Sequence, residues 1–289
     1  MKPKLAFIGL GAMGLPMAKA LLDADYDVTG FDVKPANLSK FSGANGQIAS
    51  SVKEAALSAD ILMLMVVSAQ QVDDVLFAQD AVSVLAQNAA VVVGSTVAPD
   101  YAETLGETLR ALNLHFVDAP VSGGVKGAED KTLSVMASGP SASYQKVKEV
   151  LETVGKNVFH LGEQNGQGSV MKVVNQLLAG IHLATAAEAV NFAQSYGLEV
   201  EKVQEVIATS AGNSWMFQDR VPRMTETNPE VKSAVDIFVK DLGIVADVAK
   251  SAKIAVPLTA TALQLFTMAS VKGHGGEDDS QVIKILDKT

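Results

Sequence analysis

A doubly wound α/β domain followed by an all-helical domain is the fold class this sequence predicts, on three observations. Short β-rich apolar runs alternate with helix-compatible segments from the N-terminus onward. The alternation stops at Gly162. Beyond it, apolar residues recur only at helical spacing.

In order, the β-rich runs are KLAFIGL (4–10), YDVTGFD (26–32), DILMLMVV (60–67), AAVVVGST (89–96), LHFVDAP (114–120), LSVMASG (133–139) and NVFHLG (157–162). GLPMAKALLDA, SVKEAALSA, QQVDDVLFAQ, PDYAETLGETLRAL and SASYQKVKEVLETVG lie between them as helices. Strands buried on both faces and joined through helices imply a mainly parallel sheet. After Gly162 the segment EQNGQGS makes a break. Residues 169–196 then carry a proline-free helical pattern ending at Gly197, a spine roughly 42 Å long. Further helices are expected at 200–210, 233–253 and 257–271. Phe238, Val239, Leu242, Val245, Ala246 and Ala249 form an apolar stripe, and Pro257 suits a first helical turn. The expected domains are 1–162 and 163–289.

Bulk composition narrows the function. A chain of 289 residues that is 48% hydrophobic can bury a core and is not disordered. Its net charge of −9 argues against nucleic acid as a partner, and an anionic substrate must be held by local donors. There is no cysteine, which removes disulfides, thiolate metal sites and cysteine nucleophiles and fits a reducing compartment. The four histidines show no metal-ligand spacing, so no metal is expected. The acidic pairs Asp73-Asp74 and Asp278-Asp279 read as solvated positions. The longest uninterrupted apolar run, ILMLMVV at 61–67, is too short to span a bilayer. The opening MKPKLAFIGLGAMG runs into a glycine turn without a cleavage pattern. A soluble, cytoplasmic protein with no membrane partner is expected.

Three motifs carry chemistry. The first strand ends in GLGAMG, placing Gly9, Gly11 and Gly14 in a G-x-G-x-x-G pattern. Gly9 permits the tight turn, Gly11 lets the backbone approach a pyrophosphate, and Gly14 lets helix and strand pack closely. The second strand ends in Asp32, eighteen residues past Gly14, where an acid bonds the adenosine ribose. No arginine follows it, so NAD is preferred over NADP, although Lys34 is nearby. The second motif is DAPVSGGVKGAED after the fifth run. Ser122, Gly123 and Gly124 offer a hydroxyl and backbone N–H groups suited to a small carboxylate; an ordinary surface loop fits the same residues. Its VSGG context is not a G-x-S-x-G nucleophile elbow. The third is Lys172, set among Val170, Met171, Val173, Val174, Leu177 and Leu178. Such a lysine either snorkels to water or serves as a proton donor and acceptor beside a cofactor, since desolvation lowers an amine's pKa. Asn175 shares its helix face, whereas His182, two turns further on, reads as a packed or interface histidine.

These residues are similar to those of the β-hydroxyacid dehydrogenases, in four ordered blocks: FIGLGAMGLPMA (7–18), DAPVSGGVKGA (118–128), GEQNGQGSVMKVVNQ (162–176) and FVKDLGIVADVAK (238–250). The resemblance covers nearly the whole chain. It implies a Rossmann-like NAD-binding domain, an all-helical domain, and an active site between them. It also implies that Lys172 is the catalytic lysine, while Ser122, Gly123, Gly124 and Asn175 hold the substrate. Cofactor contacts are implied for Gly9, Gly11, Met13, Gly14, Asp32, Val67, Thr96 and Lys240. NQLLAGIH (175–182), AGNSWMF (211–217), SAVDIFVKDLG (233–243) and GEDDSQVIKI (276–285) resemble a subgroup that oxidises L-threonate at C2. The chain departs from the wider family at Gln176, where hydroxyisobutyrate enzymes usually carry asparagine, and at Ser68, where many relatives carry proline. The rival expectations are 3-hydroxyisobutyrate oxidation, tartronate semialdehyde reduction, imine reduction (whose enzymes usually replace the lysine) and nucleotide binding without turnover. The apolar spine suggests a homodimer or homotetramer.

Overall fold

The computed structural model describes residues 2–286. The chain divides into two units, Met1–Lys172 and Val173–Thr289.

In the first unit, Lys4–Ile8 (β1), Asp27–Phe31 (β2), Gln47–Ile48 (β3), Ile61–Leu64 (β4), Ala90–Val93 (β5) and His115–Asp118 (β6) form one parallel sheet in the order β3-β2-β1-β4-β5-β6. Every residue of β4 and β5 is buried. Alternate side chains divide between two cores. Leu5, Phe7, Met63, Val92 and Val117 pack on one face, and Ala6, Ile8, Leu62, Leu64, Val91 and Val93 on the other. The helices Gly14–Asp23 (α1), Pro35–Ser42 (α2), Val52–Ala56 (α3), Ala69–Asp73 (α4) and Pro99–Ala111 (α5) accompany these strands. Each large side chain so covered contributes about 1.5–3 kcal/mol.

The register matters for function. Phe31, Ile8, Leu64, Val93 and Asp118 make the last paired row across β2, β1, β4, β5 and β6. The next amides, Gly9, Met65, Gly94 and Ala119, each donate to the neighbouring strand's carbonyl. All these strands therefore end level.

Two of the expected strands leave this sheet. Val121–Ser122 (β7), Ser134–Ala137 (β8) and Asn157–His160 (β9) form a separate small sheet, β7 antiparallel and β9 parallel to β8. Pro120 has no N–H to extend the β6 ladder, and its carbonyl accepts from Met136 instead. The small sheet meets the large one through the antiparallel Asp118–Ser138 bridge. Gly124–Glu129 (α6) occupies what read as a loop, and Ser141–Val154 (α7) is as expected.

Gln167–Ser195 (α8) is a helix of 29 residues. It is long and apolar enough to cross a membrane, but Val173, Leu183, Ala184, Ala187 and Val190 pack into the core of the second unit. Val200–Ala208 (α9), Trp215–Met224 (α10), Val235–Ser251 (α11) and Pro257–Ala269 (α12) follow, then a 3-10 stretch, Asp279–Ile285. Helix α10 is absent from the sequence expectation because Pro222 stands inside it.

The reading of Asp278 and Asp279 as solvated is overturned. Both are buried, at 1% and 0% exposed. Arg220 Nε lies 2.7 Å from Asp279 Oδ1, and Arg223 Nε lies 3.2 Å from Asp278 Oδ1. Buried carboxylates need such partners, and α10 supplies them. Asp73 is not a simple solvated acid either, because it accepts the Tyr101 hydroxyl at 2.8 Å.

Candidate active site

Because the strands end level, Gly9, Asp32, Val67, Thr96 and Ser122 all emerge beyond their carboxyl ends. The chain runs from β1 outward to β2 and β3, then returns to β4 on the other side of β1. A crevice at such a reversal is where open α/β sheets take ligands.

The glycine turn is built for close approach. Gly9 has φ +94°, and a Cβ there would stand 2.4 Å from the Met65 carbonyl oxygen. A Cβ on Gly14 would stand 1.8 Å from the Gly9 carbonyl oxygen. Gly11 differs, since nothing lies within 4 Å of the place its Cβ would take. Two glycines are thus demanded by the fold, and the third faces open space. Met13 stands at the N-terminal boundary of α1. Asp32 accepts from the Leu10 and Lys34 amides, each at 2.7 Å. Those amides fix the carboxylate, and its other lone pairs suit ribose hydroxyl donors. This cradle fits a dinucleotide.

The loop after β4 is tied down throughout. The Val66 amide donates to the buried Ser95 hydroxyl at 3.0 Å, and the Val67 amide donates to Gln71 Oε1 at 2.8 Å. Ser68, the residue in place of proline, caps α4 by accepting from the Gln71 amide at 3.3 Å. Val67 is half exposed, and Thr96 is half-buried beyond β5.

In the SGG segment, Ser122 ends β7, and Gly123 and Gly124 have φ +133° and +63°. These left-handed conformations favour glycine and turn the chain into α6.

Sequence reasoning missed the group that ties this segment to α8. Asp118 is fully buried. Its Oδ2 accepts the Ser169 amide at 2.7 Å, and its Oδ1 accepts the Ser169 hydroxyl at 2.9 Å. Ser138 Oγ accepts the Gly168 amide at 2.9 Å. Sheet ends thus satisfy the first amides of α8, as a cap would. Burial pushes the Asp118 carboxyl up to about 6, against the lowering effect of these hydrogen bonds. The sequence signal was its place at the head of the DAPVSGG motif, directly after the apolar pair Phe116-Val117.

Lys172, one turn beyond Ser169, is buried. Asn175 follows on the same helix, and its Nδ2 donates to Gln176 Oε1 at 2.8 Å. Gln176 Nε2 donates to the buried Asp241 Oδ2 at 2.5 Å, and Lys240 Nζ lies 2.6 Å from Asp241 Oδ1. Asp241, which the sequence reading did not single out, thereby joins two of the expected site residues.

Two families of known proteins match successive stretches of the chain. The family described as the NAD binding domain of 6-phosphogluconate dehydrogenase matches residues 4–162. The one described as NAD-binding of NADP-dependent 3-hydroxyisobutyrate dehydrogenase matches residues 166–286. The chain belongs to the β-hydroxyacid dehydrogenase family.

Within this family, the chain is 44% identical over 287 residues to an L-threonate dehydrogenase of Cupriavidus necator, covering 99% of this chain and 97% of that protein. It is 41% identical to an L-threonate dehydrogenase of Escherichia coli K12, covering 98% and 94%. A crystal structure described as 3-hydroxyisobutyrate dehydrogenase from Salmonella typhimurium superposes with a TM-score of 0.94 at 41% identity, covering 98% of this chain and all of that one. The chain is accordingly an oxidoreductase with a Rossmann-like NAD-binding unit. Among the described residues, no cluster of three acidic or histidine side chains could hold a metal ion.

Proposed function

We propose that this chain is an NAD-dependent dehydrogenase of a small hydroxy acid, with L-threonate, oxidised at C2 to a 2-keto sugar acid, as its substrate. The observation that carries the reading is the level row of strand ends. It brings the glycine turn, Asp32, Val67, Thr96 and Ser122 to one edge, where Asp118 anchors α8 one turn before Lys172. The whole-length likeness to L-threonate dehydrogenases supports the choice of acid. Residues 1–162 bind NAD, and residues 163–289 supply substrate contacts and the oligomer face.

Bound NAD supplies the acceptor for the hydride that leaves the alcohol carbon. Gly9, Gly11, Met13, Gly14, Asp32, Val67, Thr96 and Lys240 hold the cofactor, and Asp32 favours NAD by opposing a 2′-phosphate. Lys172 Nζ takes the hydroxyl proton as the carbonyl forms, and returns it in reduction. The Ser122 hydroxyl and the Gly123 and Gly124 amides bind the carboxylate. Asn175 positions the substrate.

The protein works as a soluble cytoplasmic homodimer or homotetramer. Val170, Met171, Val174, Leu178 and Phe192 on α8 are exposed, with Tyr196 just beyond its end, an apolar face suited to a second copy. Neither nucleic acid nor membrane is a partner.

The test is NAD and NADP reduction with L-threonate, 3-hydroxyisobutyrate and D-glycerate, and NADH oxidation with tartronate semialdehyde. Preference for L-threonate with NAD supports the reading. Preference for another acid keeps the chemistry and discards the substrate. Silence on every acid leaves a nucleotide-binding module without turnover.

A further inference from the structure

Beside the first residues of β6, the edge strand of the large sheet, lies a cavity of about 300 Å³. It belongs wholly to the first unit, and β6 begins here, whereas the glycine turn lies beyond the carboxyl ends of the strands. Gly106 and Arg110 of α5, His115 of β6, Ser143 of α7, Asn88 and Asn165 line it. The proposed function uses none of them. A volume of this order holds a small ligand.

The wall offers one unanswered acceptor. Asn165 is only 6% exposed. Its Nδ2 donates to the Ser138 carbonyl at 3.3 Å and to the Phe116 carbonyl at 3.4 Å. Those two oxygens fix the direction of the amide, because a reversed amide would set oxygen against oxygen. Oδ1 therefore turns the other way, toward Gly106, where a Cβ would stand 2.4 Å from it. It accepts from no group among the described residues, yet it is not sealed from solvent. A donor brought by a ligand would meet that demand.

Donors stand close by. Arg110 follows Gly106 by one helical turn, so the two share a face about 5–6 Å apart. No carboxylate among the described residues pairs with its guanidinium. Ser143 is buried, and its hydroxyl lies 3.0 Å from His115 Nδ1, its one partner among the described residues. Burial and then the Lys146 ammonium hold the His115 imidazole below its ordinary pKa, so the neutral ring accepts that hydroxyl proton at Nδ1. Nε2 then carries the ring hydrogen and donates. Lys146 Nζ itself donates to the Asn88 carbonyl at 2.9 Å, which sets a second positive charge beside the lining. Glu163, the acid at the start of α7, accepts the Ser141 amide at 3.1 Å and does not line the cavity.

We propose that this cavity binds a small carboxylate with a hydroxyl beside it, the carboxylate on Arg110 and His115 Nε2 and the hydroxyl on Asn165 Oδ1. The lining discriminates among ligand classes. A bare carboxylate leaves Asn165 Oδ1 unanswered, and a neutral diol leaves the guanidinium unmatched. A cation is opposed by Arg110 and Lys146. The site is separate from hydride transfer and does not rest on the proposed substrate.

The chain has four histidines, so carbon–proton ring spectra of the full-length, histidine-labelled protein resolve His115, assigned by the signal that His115→Gln removes. The probes are L-lactate, propionate, which lacks only the hydroxyl, and propylene glycol, which lacks the carboxylate. L-Lactate is expected to shift the His115 signals with half-saturation near ~1–10 mM, the scale for so few atoms. Propionate and propylene glycol should each bind at least about tenfold more weakly, for want of one polar contact. Arg110 is exposed, so Arg110→Gln should keep the Tm and the L-threonate turnover of wild type. Its L-lactate response should weaken at least about tenfold. Unmoved His115 signals at ~0.1 M L-lactate, an equal response to either control, or an unchanged titration in Arg110→Gln each overturn the proposal. A wild-type protein silent on every acid in turnover defeats the proposed function alone, and the histidine spectra still decide whether this site exists.

Discussion

Gly11 and Gly14 stand three residues apart in one motif, yet the structure separates what each is for. Alanine at 14 places its Cβ 1.8 Å from the Gly9 carbonyl oxygen, 3.0 Å from the Gly9 carbonyl carbon and 3.1 Å from Phe7 Cε1. Backbone must move by about 1.5 Å to restore contact distance, which sits at the upper end of overpacking costs, ~3 kcal/mol. For a protein of this size that corresponds to a fall in Tm of roughly 6–12 °C. Alanine at 11 meets nothing within 4 Å, so its Tm should match wild type. The methyl instead stands where a pyrophosphate must approach, and NAD affinity should fall about tenfold or more, ~1.4 kcal/mol. Scanning calorimetry and NAD titration of both variants check this. A Gly11→Ala variant that melts as low as Gly14→Ala, or that binds NAD like wild type, would refute this separation of roles.

Three further outcomes are expected. Asp118 has a folded pKa of about 6 against an unfolded value near 3.8, so the native state binds more protons between those pH values and stability falls as pH rises through them. Asp118→Asn removes that cost and keeps its contacts to Ser169 with one reversed: its Oδ1 accepts the Ser169 amide, and its NH2 donates to the Ser169 hydroxyl, which turns to accept. It should be more stable than wild type above pH ~6, by roughly 1–3 kcal/mol in urea unfolding, with the difference gone near pH ~4. Asp279→Ala leaves Arg220 buried beside a missing partner and should cost about 3–5 kcal/mol, read as a lowered urea midpoint. Asp32→Ser removes the carboxylate that opposes a 2′-phosphate, so the ratio of kcat/KM for NADP to that for NAD should rise at least about tenfold.

Local pattern made much of this legible. Continuous apolar runs marked β1, β4 and β5 as strands buried on both faces, and the Gly9–Gly14 turn announced its ligand class because glycine there answers a steric demand. What escaped is non-local. Nothing in the sequence near Asp278 and Asp279 says that Arg220 and Arg223 wait more than fifty residues upstream. The same holds for Asp118 with Ser169, and for Gln176 with Asp241. The split of β8 and β9 into their own sheet was hidden because a short β-rich run reads alike in either sheet. Helix α2 escaped for want of a stripe, since Phe41 is its one buried residue.

The proposed chemistry turns on Lys172 moving the substrate proton. Its most direct test compares wild type with Lys172→Ala for NADH formation from L-threonate, with NAD affinity and Tm measured on the same samples. The expected result is a kcat reduced at least about a hundredfold, the usual scale of a lost acid–base group, with NAD still bound and the fold intact. Full turnover by Lys172→Ala would contradict the account.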